Sequence, residues 1–149
     1  MHEWLQREHV RRWWRDARTP DDVAAHYGPA IDGDEPTQMF VIEIDGNPAG
    51  SIQTYLVSDY PEWIGPDPGV AGVDLFIADE QRTGRGLGPR ILTEFVREVV
   101  FADPDTTACV AAPDVATAPS LRAFEKAGFR PVREIAGDDG PELLMRLER

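Results

Sequence analysis

The sequence predicts an α/β fold with a mixed central sheet, and three features of the chain support this prediction. Apolar strand-like runs and amphipathic helix-like runs alternate through the middle of the 149 residues. The run Asp45-Gly46-Asn47 is a hairpin-turn signal between two strand patterns. An apolar strand, a glycine-rich turn and an amphipathic helix follow one another between Val73 and Val100. The length suits a single domain, residues 1–149.

Two helices are predicted before the first strand. Aromatic and apolar side chains recur roughly every 3.6 residues over residues 3–16, which predicts the first helix. The second begins at Thr19, because Thr19 can cap it, Pro20 suits its first position and the two acids that follow suit its positive end. We expect this helix to end near Gly28-Pro29 or shortly after.

A hairpin and a long loop come next. The predicted strands are residues 38–44 and 49–57. Gln53 and Tyr55 share one face of the second strand, since side chains alternate along a strand. Residues 58–69 are rich in proline, glycine and acid, and a loop of this length in a compact domain is often functional.

The remainder of the chain alternates in the same way. The longest helix is predicted over residues 86–101, and a shorter one over residues 117–127, which Gly128 ends. Strands are predicted over residues 106–112, 130–136 and 142–147, with a turn at residues 137–140 between the last two.

Composition restricts the partners of the protein. A net charge of −12 and a pI near 4.5 argue against nucleic acid as a partner. The same charge would steer a cationic small molecule to the surface, although an acidic excess also serves solubility alone. The chain has no apolar run of 18 residues, so neither a membrane span nor membrane binding is predicted.

Cysteine and histidine usage indicates the compartment and argues against a metal. A single cysteine, Cys109, excludes an internal disulfide, and the charged N-terminus is unlike a signal peptide, so a cytoplasmic protein is predicted. Cys109 stands in an apolar run, which predicts a buried strand residue. His2, His9 and His26 show no metal-ligand spacing, and we predict no metal site.

The segment over residues 73–88 carries the strongest functional signal. Glycines at positions 84, 86 and 88 lie between a strand and a helix, where backbone N–H groups and the helix dipole can hold a phosphate. Arg82 and Arg85 add two cations. The run lacks the Gly-Lys-Ser/Thr of a P-loop and the spacing of the dinucleotide fingerprint. An ordinary helix-opening loop is the alternative interpretation.

The run Gln81-x-x-Gly84-x-Gly86 resembles the acyl-CoA pyrophosphate loop of the GNAT N-acetyltransferases. The late segment over residues 120–129 looks like that family's helix ending in Gly-Phe. The resemblance implies a mixed, mostly antiparallel sheet flanked by helices, with acetyl-CoA as cosubstrate. The family usually begins with a strand before its first helix, whereas this sequence starts inside that helix, so either the strand is missing or the sequence starts late. The cofactor-binding residues that it implies are Phe76, Ile77, Gln81, Arg82, Thr83, Gly84, Arg85, Gly86, Leu87, Gly88, Phe124 and Lys126.

Within the family, the chain most resembles the aminoglycoside 6′-N-acetyltransferases of bacterial resistance. The matching run is Asp67-Pro68-Gly69-Val70-x-Gly72-x-Asp74. The resemblance implies that Asp74 is catalytic and binds the substrate amine. Independently, a carboxylate in an apolar strand is costly to bury unless it is paired, so Asp74 is expected to have a partner. A backbone or arginine partner for Asp74 is the structural alternative. The other candidate substrate-binding residues are Trp14, Gln53, Tyr55, Asp59, Glu62 and Asp114.

Three departures keep other functions open. Phe124 stands where the family often has tyrosine as general acid, and Thr117 replaces its usual asparagine. The aminoglycoside enzymes carry an acid near the position of Ala112, whereas the nearest acid here is Asp114, two residues further on. The alternatives are a siderophore-type acyltransferase for lysine or another small amine, and a CoA-binding module without turnover. The oligomeric state, monomer or homodimer, is left open.

Overall fold

The computed structural model describes residues 1–15 and 19–149. Six α-helices and six β-strands run through these ranges, joined by turns and short 3₁₀ segments. The helices are α1 (His2–Leu5), α2 (Glu8–Arg11), α3 (Pro20–Asp32), α4 (Pro61–Ile64), α5 (Leu87–Glu98) and α6 (Ala118–Lys126). The strands are β1 (Gln38–Ile44), β2 (Asn47–Leu56), β3 (Val70–Ile77), β4 (Ala108–Ala111), β5 (Arg130–Gly137) and β6 (Gly140–Glu148).

The strands form one six-stranded sheet in the order β1-β2-β3-β4-β6-β5. β1 pairs with β2, β4 with β6 and β5 with β6 in the antiparallel direction, whereas β3 and β4 are parallel. The parallel pair is reached through α5, as a crossover between parallel strands requires. The predicted mixed, mostly antiparallel sheet is therefore confirmed.

The first helix was predicted wrongly, because the chain forms two short helices in place of one. Arg7 takes an extended conformation between α1 and α2, with φ −67° and ψ 131°. Its guanidinium donates a 2.7 Å hydrogen bond to the carbonyl oxygen of Ala78. We attribute the break to this contact, which a spacing pattern does not reveal. Asp16, the predicted end of the helix, lies outside the described residues.

The start of α3 is as predicted, with a capping box between Thr19 and Asp22. The helix continues through Pro29 and ends at Gly33, which has a left-handed φ of 82°. With 13 residues, α3 is one residue longer than α5, so the prediction that residues 86–101 form the longest helix was wrong. α5 stops at Glu98, and a 3₁₀ turn, Val100–Ala102, takes the remainder of that segment.

The first hairpin is close to its prediction. Asp45 and Gly46 form its two-residue turn with φ of 54° and 74°, and Ile44 pairs with Asn47. Both turn residues have positive φ, as the preferred hairpin turn requires. The short turn extends β2 back to Asn47, two residues before its predicted start. The predicted loop over residues 58–69 contains helix α4.

The C-terminal elements differ from their predictions mainly in length. β4 has only four residues, whereas β5 and β6 take the outer two of the four predicted turn residues, 137 and 140, and leave a two-residue turn. Gly128 follows α6 with a φ of 99°, a conformation that favours glycine. Within the described ranges, no helix is long and apolar enough to cross a membrane.

The described chain divides into two compact units. The first unit comprises Met1–Thr54 and Asp74–Arg82, and the second comprises Tyr55–Val73 and Thr83–Arg149. A core cluster of the first unit consists of Leu5, Val10, Val23, Tyr27, Phe76 and Ala78. A core cluster of the second unit consists of Val57, Val70, Ala108, Val110 and Leu144. Cys109 is fully buried in β4, as predicted.

Candidate active site

Asp74 lies half-buried on β3, in the first unit. The side-chain amide of Gln53, on β2, donates a 3.1 Å hydrogen bond to its Oδ2 atom. The structure thus pairs a candidate catalytic residue with a candidate substrate-binding residue. A carboxylate that is half-buried and partly open to solvent can also accept a hydrogen bond from a substrate ammonium.

The backbone around this pair is tightly packed. Ala78 N–H donates a 2.7 Å hydrogen bond to the carbonyl oxygen of Ala49. A Cβ built on Gly50 would overlap the carbonyl oxygen of Phe76. Glycine is therefore required at position 50, because a side chain there would push β2 and β3 apart.

Two side chains from the N-terminal helices hold the end of β3. His9 Nε2 lies 3.0 Å from the carbonyl oxygen of Ile77, and Arg7 bonds the carbonyl oxygen of Ala78 at 2.7 Å. The sequence did not indicate these roles, since the partners lie 68 and 71 residues apart. The backbone near the candidate cofactor residues Phe76 and Ile77 is thereby fixed.

Phe76 itself belongs to the core of the first unit. Trp14 packs edge-on against it with ring centroids 5.0 Å apart, and Trp4 does so at 6.4 Å. Trp14, a candidate wall of the substrate pocket, is half-buried in this cluster. The Phe76 side chain fills the core, so its backbone is the part of the residue that a ligand could contact.

The segment after β3 is fixed by acidic side chains. Asp79 Oδ1 accepts a hydrogen bond from Gln81 N–H at 3.1 Å, and its Oδ2 accepts one from Arg82 Nε at 3.2 Å. Arg82 also donates to Asp45 Oδ2 at 2.9 Å. The pKa of Arg82 is raised, mainly by the hydrogen bond to Asp45. The negative charge of Asp45 and the hydrogen bond and charge of Asp79 raise it further. Next to this segment is an open hollow of about 380 Å³, lined by Arg7, Glu8, His9, Ala78, Asp79, Glu80 and Gln81.

The glycine loop lies in the second unit and has a backbone suited to an anion. Gly84 and Gly86 have left-handed φ of 71° and 76°, and a Cβ built on either would meet no atom within 4 Å. Gly86 is the N-cap residue of α5 and has no side chain with which to cap it. The first-turn amides of α5 therefore depend on other acceptors. Amides at the start of a helix can bind an anion such as a pyrophosphate, and the nearby Arg85 is an exposed cation.

The remaining candidate cofactor residues of the second unit differ in exposure. Thr83 is exposed, Leu87 is half-buried, and a Cβ on Gly88 would lie 3.5 Å from the Cβ of Ala123 on α6. Phe124 is only 4% exposed and packs edge-on against Phe129 at 5.2 Å, so little of its ring is available to a ligand. Lys126, in the last turn of α6, is exposed.

The candidate substrate residues of the second unit lie near an aromatic cluster. The ring of Tyr55 lies over Gly72, where a Cβ would overlap it. Tyr60 and Trp63 pack edge-on against Tyr55 at 5.2 and 5.9 Å. Tyr60 was not among the sequence-based candidates, although it lies in the functional loop that the sequence indicated. Asp59 and Glu62, which flank Tyr60, are exposed.

Asp114 is engaged in local structure. Its Oδ1 accepts a hydrogen bond from Ala116 N–H at 2.7 Å, and its carbonyl oxygen accepts one from Thr117 N–H at 2.9 Å. These bonds shape the turn that leads into α6. Asp114 can still contribute charge to a ligand, but one of its oxygens already has a partner. Among the described residues, no group of histidine, cysteine and acidic side chains could hold a metal ion.

The chain is similar to known acetyltransferases. The acetyltransferase (GNAT) domain model matches residues 1–136. The aminoglycoside N(6′)-acetyltransferase type 1 of Klebsiella pneumoniae is 32% identical over 151 residues, covering 97% of this chain and 75% of the relative. A kanamycin resistance protein of Rhizobium radiobacter is 35% identical over 79 residues, covering 53% of this chain and 72% of the relative.

Solved structures give the same result. The structure of AAC(6′)-Ib with parmomycin and acetyl-CoA matches with a TM-score of 0.89 at 32% identity, covering 99% of this chain and 85% of that one. AAC(6′)-Ib with coenzyme A and kanamycin matches with a TM-score of 0.88 at 32% identity, covering 99% and 87%. The family model and the relatives each cover most of the chain, which therefore belongs to the GNAT acetyltransferase family.

Proposed function

We propose that this protein transfers the acetyl group of acetyl-CoA to the 6′-amine of an aminoglycoside, and that residues 1–149 act as one domain in the cytoplasm. The observation that carries the proposal is the half-buried Asp74 carboxylate, fixed by Gln53 on the neighbouring strand. The likeness to an aminoglycoside N(6′)-acetyltransferase over 97% of the chain supports the acceptor.

Asp74 has two tasks in this reaction. An alkyl amine is protonated at neutral pH, and an ammonium does not attack a carbonyl carbon. The carboxylate first holds the ammonium by a charge-assisted hydrogen bond and then removes its proton, directly or through water. Gln53 keeps the carboxylate in one orientation through its bond to Oδ2.

Acetyl-CoA supplies the acetyl group as a thioester. When the C–S bond breaks, CoA leaves as a thiolate and takes its proton from water, because Phe124 has no acidic group. The backbone at Phe76 and Ile77 holds the pantetheine arm. The hydrogen bonds of His9 and Arg7 to the carbonyl oxygens of Ile77 and Ala78 keep this end of β3 in position. The amides around Gly84 and Gly86 hold the pyrophosphate.

The acceptor is bound by charge and by flat surfaces. The half-buried Tyr55 offers aromatic surface to a ring system, and the exposed Asp59 and Glu62 attract its ammonium groups. A net charge of −12 adds a general attraction for polycations.

The experiment compares acceptors in a thiol-release assay with acetyl-CoA. Neomycin and paromomycin differ only at the 6′ position, which bears an amine in the first and a hydroxyl in the second. We expect thiol release with kanamycin and neomycin and little with paromomycin. Equal turnover of neomycin and paromomycin would contradict the 6′ assignment.

Two other results would replace the proposal. Turnover with hydroxylysine-like amines and none with aminoglycosides would indicate the siderophore-type alternative. Binding of CoA by calorimetry without turnover of any amine would indicate a CoA-binding module.

A further inference from the structure

The guanidinium of Arg82 is held by two carboxylates. Its NH1 atom donates to Asp45 Oδ2 at 2.9 Å, and its Nε donates to Asp79 Oδ2 at 3.2 Å. The Arg82 side chain is 30% exposed, against 80% for Asp45 and 41% for Asp79. The cation is therefore the least exposed of the three groups and lies between two anions.

Each carboxylate comes from a different segment. Asp45 is a residue of the β1–β2 turn, with a positive φ of 54°. Asp79 lies two residues after the end of β3. It accepts hydrogen bonds from the N–H groups of Gln81 and Arg82, through Oδ1 and its carbonyl oxygen. Arg82 ends the 3₁₀ turn Glu80–Arg82, and the glycine loop begins at the next residue.

This arrangement is unfavourable for direct phosphate binding by Arg82. One positive and two negative formal charges leave the group with a net charge of −1. A phosphate would have to displace a carboxylate or approach two anions. The sequence suggested Arg82 as a cation for the pyrophosphate, but its side chain ties the 3₁₀ turn Glu80–Arg82, which precedes the loop, to the β1–β2 turn.

We propose that Arg82 is a positioning residue, which anchors the 3₁₀ turn immediately before the glycine loop through Asp45 and Asp79 and does not itself bind the pyrophosphate of CoA. This inference rests on the proposed function, because it concerns how the same loop binds acetyl-CoA.

Asp45→Asn distinguishes an anchor from a direct ligand of the pyrophosphate, because the two roles predict opposite changes in CoA affinity. Asparagine tolerates a positive φ, so the turn is kept while the negative charge is lost. If Arg82 is an anchor, Asp45→Asn weakens CoA binding by about two- to fivefold, the size expected from one solvent-accessible ion pair. If Arg82 binds the pyrophosphate, the same substitution releases its charge and tightens binding. Affinity is measured by calorimetry with CoA.

The control is Glu43→Gln, on β1. It removes an equal charge from an exposed residue two positions before Asp45 and is expected to leave CoA affinity unchanged. In a double-mutant cycle, Arg82→Gln weakens CoA binding, and Asp45→Asn adds little to Arg82→Gln because the pair is already broken. If the effects of the two substitutions on CoA affinity were independent and additive, the proposed anchoring role of Arg82 would be wrong.

Hydrogen exchange gives a readout that requires no ligand. In the free protein, Asp45→Asn is expected to accelerate amide exchange over residues 80–88 relative to Glu43→Gln. Unchanged exchange, or tighter CoA binding by Asp45→Asn, would overturn the inference alone. Failure of the wild-type protein to bind CoA would overturn the proposed function as well.

Discussion

The imidazole Nε2 of His9 lies 3.0 Å from the carbonyl oxygen of Ile77, three residues after Asp74 on the same strand. His9 belongs to α2, and Arg7, just before α2, bonds the next carbonyl oxygen at 2.7 Å. Two N-terminal side chains therefore hold consecutive peptide groups at the end of β3. This relationship connects the N-terminal helices with the strand that carries the candidate catalytic residue.

Replacing His9 tests this connection. His9→Leu removes the donor and leaves the Ile77 carbonyl oxygen without it, which should cost about 1–3 kcal/mol in free energy of unfolding. His9→Gln keeps an N–H donor at a similar distance and should retain most of the stability. We also expect His9→Leu to raise the KM for acetyl-CoA more than that for the aminoglycoside. Urea unfolding and initial rates measure these effects, and a glutamine variant as impaired as the leucine variant would contradict them.

Asp74→Asn tests the proposed base. The amide can still form hydrogen bonds but cannot neutralise an ammonium or take its proton, so kcat/KM should fall by roughly 10²–10⁴. CoA affinity measured by calorimetry should stay unchanged, which separates loss of chemistry from loss of the fold. Glu43→Gln, with the same change of charge, should retain full activity. An Asp74→Asn variant with the wild-type rate would remove this residue from the mechanism.

Gln53 is expected to orient Asp74. Gln53→Leu removes the donor to Oδ2 and should lower kcat/KM by about tenfold, the equivalent of roughly 1.4 kcal/mol. Gln53→Glu should be more harmful, because it puts a second carboxylate beside the first. The thiol-release assay with kanamycin ranks the three proteins. If Gln53→Glu were as active as the wild type, the contact would have no role in catalysis.

A pair of glycines gives opposite predictions for stability. Gly50→Ala puts a Cβ against the Phe76 carbonyl oxygen and should destabilise the protein by about 1–3 kcal/mol. Gly28→Ala, inside α3, meets no atom within 4 Å and should stabilise it by roughly 0.5–1 kcal/mol. Both are measured by chemical denaturation. Destabilisation of similar size in the two variants would mean that close packing at Gly50 is not the cause.

Local signals predicted much of the fold. The Thr19 cap, the Asp45-Gly46 turn and the end of α6 at Gly128 depend on residues within a few positions of each other. The end of α3, three residues after Pro29, agrees with the prediction, whereas the division of the first helix at Arg7 was missed. This miss has its cause in a contact with a residue 71 positions away, which periodicity does not encode.

The candidate site shows the same limit. Asp74 and the loop glycines could be selected because a carboxylate in an apolar strand and a glycine-rich turn are unusual in themselves. The hydrogen bonds to Ile77 and to Arg82 could not be predicted, since their partners His9 and Asp45 lie 68 and 37 positions away in the chain. Sequence reasoning therefore proposed the reacting groups, and the structure adds the side chains that hold them in position.

The burial of Cys109 has a practical consequence for work with this protein. A thiol reagent that detects released CoA cannot reach a sulfur atom with 0% exposure while β4 stays in the sheet. The folded enzyme should therefore give no background signal with such a reagent. Slow labelling of Cys109 would report how often this part of the molecule opens. The labelling rate of this native cysteine can thus measure local unfolding without an engineered probe.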